Sequence, residues 1–364
     1  MGGNHARAVS KGSVNGCELA AVCDSNPDAL AAFADVPRFR SSEELIRSPE
    51  VDAVLIATPH YSHTTVGIDA LSHGLHVLVE KPISVHKADC MRLLAARRGP
   101  DQVFAAMFNE RTNPRYRRVR ELIQGGRLGE LRRVNWVITS WFRSQCYYDS
   151  GTWRATWAGE GGGVLLNQCP HKLDLLWWLC GMPERIRAFC GFGKHHAIEV
   201  EDEVTAYLEY PGGATGLFLA STGELPGTNR LEIVGDRARV LIDGEQAFLD
   251  EMSVPTREYI ETSEERFAKP ETRRTPFPAA DSGGQHREIL QNFVDAIRTA
   301  APLIAPAEEG IHSVELANAM IHSCLTEETV EMPLDEKAYE TKLQEMIDAS
   351  PAARTASRHA RGKE

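Results

Sequence analysis

The sequence predicts an α/β protein of two domains, a doubly wound domain with a parallel sheet followed by a domain with a largely antiparallel sheet. Its 364 residues suit about two domains at roughly 150 residues each. From Cys17 to about Met107, short β-branched apolar runs alternate with helical stretches, which is typical of βαβ units. After Gly125-Gly126 the runs become longer and alternate apolar with polar residues. Gly and Pro turns separate these runs, which indicates antiparallel strands.

The elements of the first domain follow from the positions of the apolar runs. In chain order the sequence predicts a helix at 4–11, a strand at 17–23, a helix at 27–33, a strand at 51–58, a helix at 64–73, a strand at 76–79, a helix at 87–97 and a strand at 103–107. This is the layout of a doubly wound nucleotide-binding domain. The usual first strand does not precede the helix at 4–11, and we expect it to lie upstream of Met1.

The second domain is predicted to begin with a helix at 114–124. Strands are predicted at 131–142, 185–193, 203–210, 215–222, 230–234 and 239–242, with helices at 170–179, 286–298 and 308–326. The polar stretch 262–284 lacks periodicity and is a candidate lid or interface arm. The predicted domains are therefore 1–108 and 109–349, followed by a basic tail at 350–364 that we expect to be disordered.

Composition and charge exclude several classes of protein. The formal net charge is −11 and no dense basic stripe offsets it, so nucleic acid is not an expected partner. No apolar run approaches the roughly 18 residues of a membrane span, so no membrane partner is expected. The eight cysteines are scattered, and His195-His196 is predicted to be a solvent-facing loop pair, so no metal site is predicted. The N-terminus has no signal segment, and a cytoplasmic protein fits best.

Two features indicate a dinucleotide site in the first domain. Asp24 follows the first predicted strand, where a carboxylate can bind both hydroxyls of an adenosine ribose, and this favours NAD over NADP. The alternative is that Asp24 caps the helix that starts at Pro27. Gly2 can supply only the third glycine of the usual phosphate-binding fingerprint, and the alternative there is an ordinary flexible start.

The carboxyl ends of the central strands carry further candidates, because ligands bind there in open α/β sheets. Thr58-Pro59 follows one buried strand, and His63 either belongs to this site or merely begins the next helix. Glu80-Lys81-Pro82 ends the following strand. A Glu-Lys pair is commonly a solvated surface pair, but a partly desolvated Lys81 can act as an acid or base or can orient a hydroxyl.

A second group of polar residues follows the glycine run at 161–163. Pro170 is tolerated only in a first helical turn, so a helix begins between Asn167 and Pro170 and brings Asn167 within about one turn of His171. Asp174 lies one turn further and can orient the His171 ring. The alternative is that Asn167 is a helix cap and His171 a buried histidine with satisfied hydrogen bonds.

Over nearly the whole chain the sequence resembles the Gfo/Idh/MocA family, which includes glucose-fructose oxidoreductase and inositol dehydrogenase. The similarity rests on ordered motifs: Asn4-His5-Ala6, the strand ending in Asp24, Ala57-Thr58-Pro59 with His63, GLHVLVEKP at 74–82, Phe108-Asn109-Glu110-Arg111, the segment 161–174, PLIAP at 302–306 and SVELANA at 313–319. The resemblance implies an N-terminal Rossmann-like domain, a C-terminal α/β domain with a large open, mainly antiparallel sheet, and a nicotinamide cofactor. It also implies a homo-oligomer formed through the C-terminal sheet.

The resemblance assigns roles residue by residue. The catalytic residues would be Lys81 of the E-K-P motif and His171. The cofactor-side residues would be Gly2, Asp24, Thr58, Pro59, His63, Glu80, Lys81 and Asn109. The family's usual Asp is Asn167 here, so that position offers no carboxylate. The substrate-side residues would be Arg111, Tyr147, Trp153, Arg154, Asn167, His171 and Asp174, with a core role for Trp153 and ion pairs for Arg111 and Arg154 as the alternatives.

The sequence supports three hypotheses of function. The first is an NAD-dependent oxidoreductase that moves hydride between nicotinamide and a ring hydroxyl of a sugar, inositol or sugar derivative. In it, His171 transfers the proton, since an imidazole has a pKa of about 6.5 in model peptides, and Lys81 holds the reacting hydroxyl. The second is a redox-assisted glycosidase that retains its cofactor. The third is a non-catalytic ligand sensor on the same scaffold.

Overall fold

The computed structural model describes residues 1–151, 153–277 and 282–350. The chain divides into two compact units, one formed by Met1–Asn113 with Ser282–Val314 and the other by Pro114–Asp281 with Glu315–Glu364. The predicted boundary at 108/109 lies close to the first crossing, which follows Asn113. The prediction that 109–349 forms a single domain requires correction, because 282–314 returns to the first unit.

Helices and strands alternate in the first unit, and strands predominate in the second. The helices are α1 (Gly2–Ser10), α2 (Pro27–Ala31), α3 (Ser42–Ile46), α4 (His60–Ser72), α5 (Lys87–Ala95), α6 (Pro114–Gln124), α7 (Gln145–Asp149), α8 (Val164–Asn167), α9 (Pro170–Cys180), α10 (Thr256–Thr262), α11 (Gln285–Thr299), α12 (Ala307–Thr326) and α13 (Glu336–Ala349). The strands are β1 (Val22–Cys23), β2 (Arg38–Phe39), β3 (Ala53–Ile56), β4 (His76–Val79), β5 (Phe104–Ala106), β6 (Leu131–Ile138), β7 (Arg185–Phe192), β8 (Glu201–Glu209), β9 (Thr215–Ser221), β10 (Asn229–Gly235), β11 (Ala238–Asp243), β12 (Gln246–Met252), β13 (Thr272–Pro276) and β14 (Val330–Glu331).

The first unit contains two parallel ladders, β1–β2 and β3–β4–β5. Three of the predicted strands are confirmed as β3, β4 and β5, whereas only the end of the predicted strand 17–23 pairs, as β1. Val77, Leu78 and Val79 of β4 are fully buried, as expected of a parallel strand covered on both faces. Because Ile56 pairs with Val79, the residues that follow β3 and β4 meet at one edge of the sheet.

Helix α11 explains why the first unit is discontinuous. Its buried residues Ile289, Phe293 and Val294 belong to the same hydrophobic core as β4 and β5. Downstream of α11, the carbonyl of Ala305 accepts a hydrogen bond from the N–H of Ala106 at 3.0 Å, which extends the edge of β5. The apolar periodicity of α11 predicts a helix but carries no information about which core the helix joins.

The second unit is built on a nine-stranded sheet in the order β13-β12-β11-β10-β6-β9-β8-β7-β14. Neighbouring strands are antiparallel except β6 and β9, which are parallel, so the prediction of a mainly antiparallel sheet is confirmed. Burial alternates along β6, so one face of the sheet covers the core and the other face is more open. Helix α8 packs against β8 and β9, and this contact positions the residues that follow the glycine run.

The stretch 262–284, predicted as a candidate lid or interface arm, contains a strand that its lack of periodicity did not predict. β13 pairs with β12 in antiparallel register, from Phe248 opposite Pro276 to Met252 opposite Thr272. All five residues of β13 are exposed, so the segment has no apolar alternation from which the pairing could be predicted. Residues 278–281 and the predicted tail after Ser350 lie outside the described residues. In the ranges that are described, no helix combines the length and apolar character needed to cross a membrane.

Candidate functional site

A buried pair of polar side chains lies at the end of β4. His5 Nε2 is 2.7 Å from Glu80 Oε1, and the two residues are 4% and 6% exposed. Burial by itself would raise the pKa of Glu80, but the hydrogen bond from His5 and the charges of His5, Lys81 and His286 outweigh burial and lower the pKa. Glu80 is therefore an ionised carboxylate at neutral pH and not half of a solvated surface pair.

Glu80 also fixes the backbone that carries Lys81. Its Oε2 accepts a hydrogen bond from the Lys81 N–H at 3.2 Å, and Lys81 is only partly buried. The ring centroid of His286, on α11, lies 5.5 Å from that of His5, and burial lowers the pKa of His286. The sequence motifs identified Glu80 and Lys81 as candidates but missed the roles of His5 and His286, because both histidines are distant from β4 in the chain.

His63 connects the loops that follow β3 and β4. Its Nδ1 is 2.8 Å from the Pro82 carbonyl oxygen and its Nε2 is 2.9 Å from the Thr58 carbonyl oxygen, and the residue is 1% exposed. Burial lowers the pKa of His63 by more than the two backbone contacts raise it. Thr58 and Pro59 are exposed at the end of β3. Because both ring contacts are to backbone, we interpret His63 as a residue that positions Thr58 and the Lys81-Pro82 segment.

Asn109 presents a buried hydrogen-bond acceptor in the same unit. It is 6% exposed, its Nδ2 donates to Gln285 Oε1, and the Gln285 N–H donates to Thr112 Oγ1 at 2.8 Å. No hydrogen-bond donor faces the Asn109 Oδ1 among the described residues. A buried acceptor without a donor is costly, so Asn109 Oδ1 is suited to accept a hydrogen bond from a bound molecule. The carboxamide and the ribose hydroxyls of a nicotinamide dinucleotide are donors of this kind.

Gly2 is the first residue of α1, as its cofactor-side prediction requires. The first turn of α1 contains no acidic side chain, so its N–H groups and helix dipole can attract an anion such as a pyrophosphate. A Cβ on Gly2 would lie 3.5 Å from the Cβ of Ala57, which is an ordinary contact. The helix end therefore fits a dinucleotide, but the space around Gly2 does not itself require a glycine.

Asp24 lies exposed at the end of β1, and the helix-cap alternative for it does not hold. Its Oδ1 accepts a hydrogen bond from the Asn26 N–H at 2.9 Å, and Asn26 is the residue that caps α2, by accepting from the Asp28 N–H at 3.0 Å. No arginine directly follows Asp24 in the chain, but the guanidinium of Arg40, which follows β2, donates to the Ser25 carbonyl at 3.2 Å. An arginine at this position is the type of residue that accommodates a 2′-phosphate.

The glycine run of the second unit packs closely against β8. A Cβ on Gly163 would lie 2.0 Å from the carbonyl oxygen of Glu201, so this position requires glycine. Glu201 is fully buried, and its Oε1 accepts hydrogen bonds from the N–H groups of Gly163 at 2.8 Å and Leu165 at 3.0 Å. These bonds fix the start of α8, which ends at Asn167.

Asn167 belongs to a network of polar side chains. Its Oδ1 accepts hydrogen bonds from the Tyr147 hydroxyl at 3.3 Å and from Gln168 Nε2 at 3.2 Å. The Tyr147 hydroxyl in turn accepts from Arg154 Nη1 at 3.1 Å. The structure therefore brings together three of the residues predicted on the substrate side, Tyr147, Arg154 and Asn167.

Glu160 supplies the carboxylate that position 167 lacks. It is 2% exposed and accepts hydrogen bonds from Asn167 Nδ2 and from the Ala155 N–H, the latter at 2.6 Å. Its Oε1 also lies 4.0 Å from Arg154 Nη1, so the predicted ion-pair alternative for Arg154 is present alongside its bond to Tyr147. Sequence reasoning missed Glu160, although it stands immediately before the glycine run.

The remaining predicted residues of this unit are His171 and Asp174, which lie on α9, and Trp153, which lies outside it. Pro170 occupies the first turn of that helix, as predicted, and His171 follows it, partly buried. Asp174 is 1% exposed, one turn further along α9. Trp153 is partly buried, and the guanidinium carbon of Arg154 lies 4.7 Å from its ring centroid. Trp153 is therefore in contact with the network rather than enclosed in the core.

Arg111 belongs to the first unit and does not have the environment of a substrate ligand. It is fully buried, and its Nη1 contacts Glu309 and lies 3.2 Å from the Ile304 carbonyl oxygen. The guanidinium carbon also lies 5.6 Å from the ring centroid of Phe108. The ion-pair alternative accounts for Arg111, and the substrate-binding prediction is corrected accordingly.

The prediction that His195-His196 faces solvent is wrong for His196. The His196 side chain is 6% exposed, its Nδ1 lies 3.0 Å from Asp202 Oδ2, and its ring centroid lies 4.7 Å from that of Tyr148. Asp202 is itself fully buried and accepts hydrogen bonds from the N–H groups of residues 194–196. These bonds fold the loop back onto Tyr148, which local spacing in the sequence does not reveal.

Comparison with known proteins identifies the family. Residues 1–107 match the NAD-binding Rossmann fold of the GFO/IDH/MocA oxidoreductase family, and residues 116–241 match its C-terminal domain. The chain belongs to the GFO/IDH/MocA family. A solved GFO/IDH/MocA-like structure, the WlbA dehydrogenase from Bordetella pertussis in complex with NADH and UDP-GlcNAcA, is 26% identical, with a TM-score of 0.75 over 91% of this chain and 95% of that chain.

Two curated relatives of this GFO/IDH/MocA protein are dehydrogenases. Trans-1,2-dihydrobenzene-1,2-diol dehydrogenase from Bos taurus is 33% identical over 201 residues, which are 54% of this chain and 57% of the relative. The 1-carboxy-3-chloro-3,4-dihydroxycyclohexa-1,5-diene dehydrogenase from Comamonas testosteroni is 33% identical over 168 residues, 44% of this chain and 40% of the relative. The chain thus matches about half the length of these relatives.

Glu201 predicts how the stability of the second unit depends on pH. Burial raises the pKa of Glu201 and so does the charge of the nearby Glu160, the N–H groups of Leu165 and Gly163 lower it, and the resulting pKa is about 7. The pKa of Glu201 is higher in the folded state than the unfolded value of 4.5. Its contribution to the stability of the folded state is therefore fully present below pH 4.5 and is lost as the pH rises through about 7. Glu201→Gln, which stays neutral, should therefore be more stable than wild type at about pH 8, by up to about 3 kcal/mol.

Urea unfolding of wild type and Glu201→Gln between about pH 5 and about pH 8 tests this expectation. The gap between the two midpoints should widen as the pH rises. Glu209→Gln is the matched control, since Glu209 lies on the same strand in a half-exposed pair with Arg185. A gap that stays constant over this pH range would contradict the raised pKa of Glu201.

Proposed function

We propose that this protein is an NAD-dependent oxidoreductase that transfers hydride between nicotinamide and a ring hydroxyl of a sugar, an inositol or a related cyclic polyol. The observation that carries the proposal is the set of polar side chains that follow β4 and β5, where Glu80 holds the Lys81 backbone and Asn109 offers a buried acceptor that lacks a donor. The match of residues 1–107 to an NAD-binding Rossmann fold supports the same cofactor.

In this proposal the first unit binds the cofactor. The N-terminal turn of α1 at Gly2 holds the pyrophosphate, Asp24 binds the adenosine ribose, and Asn109 accepts a hydrogen bond from the nicotinamide half. Thr58 and Pro59, which His63 positions, line the same edge of the sheet. When bound, the nicotinamide supplies the hydride chemistry.

The chain itself supplies proton transfer and orientation. His171 accepts the proton of the substrate hydroxyl, and Lys81 holds that hydroxyl with a hydrogen bond from its ammonium group. Asn167 and Arg154 bind other hydroxyls of the substrate through the network around Tyr147. Asp174 keeps the imidazole of His171 in one orientation.

The names of the two curated relatives support a cyclic diol as the substrate class. Each relative is named for a six-carbon ring with two hydroxyl groups, and the name of the Comamonas testosteroni enzyme also specifies a carboxyl group. A ring with vicinal hydroxyls suits an arrangement in which one hydroxyl reacts and its neighbours are bound by amide and guanidinium donors.

The proposed function is tested by incubating the protein with NAD⁺ and a panel of myo-inositol, D-glucose and D-glucuronate, and recording free NADH. Formation of NADH with at least one of them supports the proposal. Cleavage of an aryl glycoside without release of NADH would replace the proposal with the redox-assisted glycosidase. Binding of sugars without any turnover or any stabilisation by NAD(H) would replace it with the ligand sensor.

We expect tighter binding of NAD⁺ than of NADP⁺, because the Asp24 carboxylate repels a 2′-phosphate and accepts hydrogen bonds from the ribose hydroxyls. Asp24→Ser should weaken NAD⁺ binding by roughly 10- to 100-fold, the range for losing hydrogen bonds to a charged group. Titration of both cofactors by isothermal calorimetry measures the effect. Tighter binding of NADP⁺ by wild type, lost in Arg40→Ala, would assign the cofactor to NADP instead.

We also infer that a second copy of this chain covers the open face of the C-terminal sheet. Phe189 on β7 and Tyr207 on β8 are 63% and 46% exposed on the same face of the sheet. Changing both to aspartate should convert a dimer into a monomer, because the interface would bury unpaired charges. Light scattering measures the mass of each variant in solution. Phe267→Asp, at a position that is 92% exposed, is the control. A wild-type protein that is a monomer would contradict the inference.

A further inference from the structure

A cavity of about 310 Å³ lies in the second unit, beside the network around Tyr147. It is lined by residues 142–145, His195, His196 and Gly223. Its volume is at the lower end of the range for small-molecule sites. None of the residues predicted from the sequence as substrate ligands lines this cavity, so its function is not accounted for by the site described above.

Arg143 gives the cavity a positive charge that no carboxylate neutralises. Its guanidinium carbon lies 5.1 Å from the ring centroid of Tyr147, and its Nη1 donates to the Phe142 carbonyl at 3.0 Å. Throughout residues 1–151, 153–277 and 282–350, no carboxylate lies within 4.0 Å of this guanidinium. The net charge of the chain is −11, so most of its basic side chains have acidic residues to pair with. An arginine that forms no ion pair with a carboxylate is available to bind an anion.

Asp202 and Glu203, the two carboxylates that contact the loop 194–196, are engaged by donors other than Arg143. Asp202 accepts hydrogen bonds from three backbone N–H groups at 194–196 and from the His196 ring. Glu203 contacts Lys194 Nζ, and it lies 2.9 Å from His195 Nε2. Neither of these two carboxylates therefore pairs with Arg143.

Ser144 adds a second donor to the lining of the cavity. It is exposed and precedes α7, but its side chain makes no capping hydrogen bond to that helix. A hydroxyl and a guanidinium on consecutive residues can bind one carboxylate, since the planar fork of arginine matches the two carboxylate oxygens. A doubly charged phosphate would be poorly neutralised by a single arginine.

Tyr147 connects the cavity to the proposed substrate residues. Arg143 contacts its ring, while its hydroxyl donates to Asn167 and accepts from Arg154. A molecule whose ring hydroxyls bind Asn167 can therefore extend along one aromatic ring to reach Arg143.

We propose that Arg143 and Ser144 bind a carboxylate of the substrate, so that the substrate is a cyclic polyol acid such as a uronic acid. This inference rests on the proposed function for the Asn167 end of the molecule. It also assigns Arg143 as a specificity-determining residue, because a neutral polyol leaves its guanidinium without an anionic partner. The carboxylate takes no part in hydride transfer.

The test compares ligands that differ only in the charged group. Calorimetric titration of the NAD⁺-loaded protein with D-glucuronate, D-glucose and D-glucose 6-phosphate should show D-glucuronate binding at least 10-fold more tightly than the other two. Arg143→Gln should weaken D-glucuronate binding by roughly 10- to 100-fold and leave D-glucose unchanged. Arg143→Lys, which keeps the charge but not the planar fork, should bind D-glucuronate with an affinity between those of wild type and Arg143→Gln. Arg230→Gln, in a half-exposed pair with Asp243, is the control.

Three results would overturn the inference: equal binding of D-glucuronate and D-glucose, D-glucuronate binding that is unaffected in Arg143→Gln, or tightest binding of D-glucose 6-phosphate. Turnover in the same samples separates this inference from the proposed function. NADH formed equally from D-glucose and D-glucuronate would overturn only the carboxylate subsite. Arg143-dependent binding of D-glucuronate with no turnover of any sugar would overturn only the oxidoreductase.

Discussion

Changing His171 to alanine should lower kcat by roughly 10²–10⁴-fold, the range for loss of a general acid or base. Oxidation of an alcohol must release the hydroxyl proton as the hydride leaves, and a neutral imidazole can accept that proton whereas an ammonium group cannot. Because His171 lies in the second unit and the proposed dinucleotide ligands lie in the first, NAD⁺ binding should change little. Steady-state kinetics and cofactor titration measure the two effects separately.

Lys81→Ala distinguishes the two catalytic candidates. Lys81 is proposed to hold the hydroxyl, so its loss should raise KM as well as lower kcat. The His171→Ala variant should also lose the limb of the pH profile that reports the free base, and His73→Ala, at a half-exposed histidine beside Asp69, should behave as wild type. If His171→Ala keeps the turnover and pH profile of wild type while Lys81→Ala is inactive, then lysine is the base.

Local sequence pattern was sufficient where burial is periodic. The strand β4, in which Val77, Leu78 and Val79 are fully buried, and the helix α9 with Pro170 in its first turn were both predicted close to their observed bounds. β13 was missed because an exposed edge strand needs no apolar side chains. The return of 282–314 to the first unit was missed because the core that α11 joins is decided by shape and burial far away in the chain.

In the candidate site, too, some residues can be predicted from the local sequence and others cannot. Glu80, Lys81, Asn167 and His171 stand in motifs that can be recognised from order and spacing alone. Their partners cannot, because His5 is 75 residues from Glu80 and His286 is further still. Arg40 likewise reaches the end of β1 only because β1 and β2 pair. Hydrogen bonds between distant segments therefore supply the part of the site that sequence reasoning lacked.

Among the residues that could not be predicted from the sequence, Glu160 has the largest expected effect on activity. Its buried carboxylate accepts from Asn167 Nδ2 and from the Ala155 N–H, and so it fixes the Asn167 amide with Oδ1 toward the Tyr147 hydroxyl. A glutamine at 160 has one acceptor oxygen instead of two, so it can satisfy only one of these donors, and its own NH₂ would face the NH₂ of Asn167. Glu160 is thus a positioning residue that acts through Asn167 and Arg154.

Glu160→Gln should lower kcat/KM by roughly 10- to 100-fold, the cost of losing a buried charge-assisted hydrogen bond, while NAD⁺ affinity stays unchanged. The decisive variant combines Glu160→Gln with Asn167→Asp, which exchanges amide and carboxylate across the same hydrogen bond. The exchange restores a donor–acceptor pair, and the new carboxylate still accepts from the Tyr147 hydroxyl. The double variant should therefore recover at least part of the activity lost in Glu160→Gln, as kinetics with the accepted polyol would measure. A double variant less active than Glu160→Gln, with both variants as stable as the Glu209→Gln control, would refute a positioning role for Glu160.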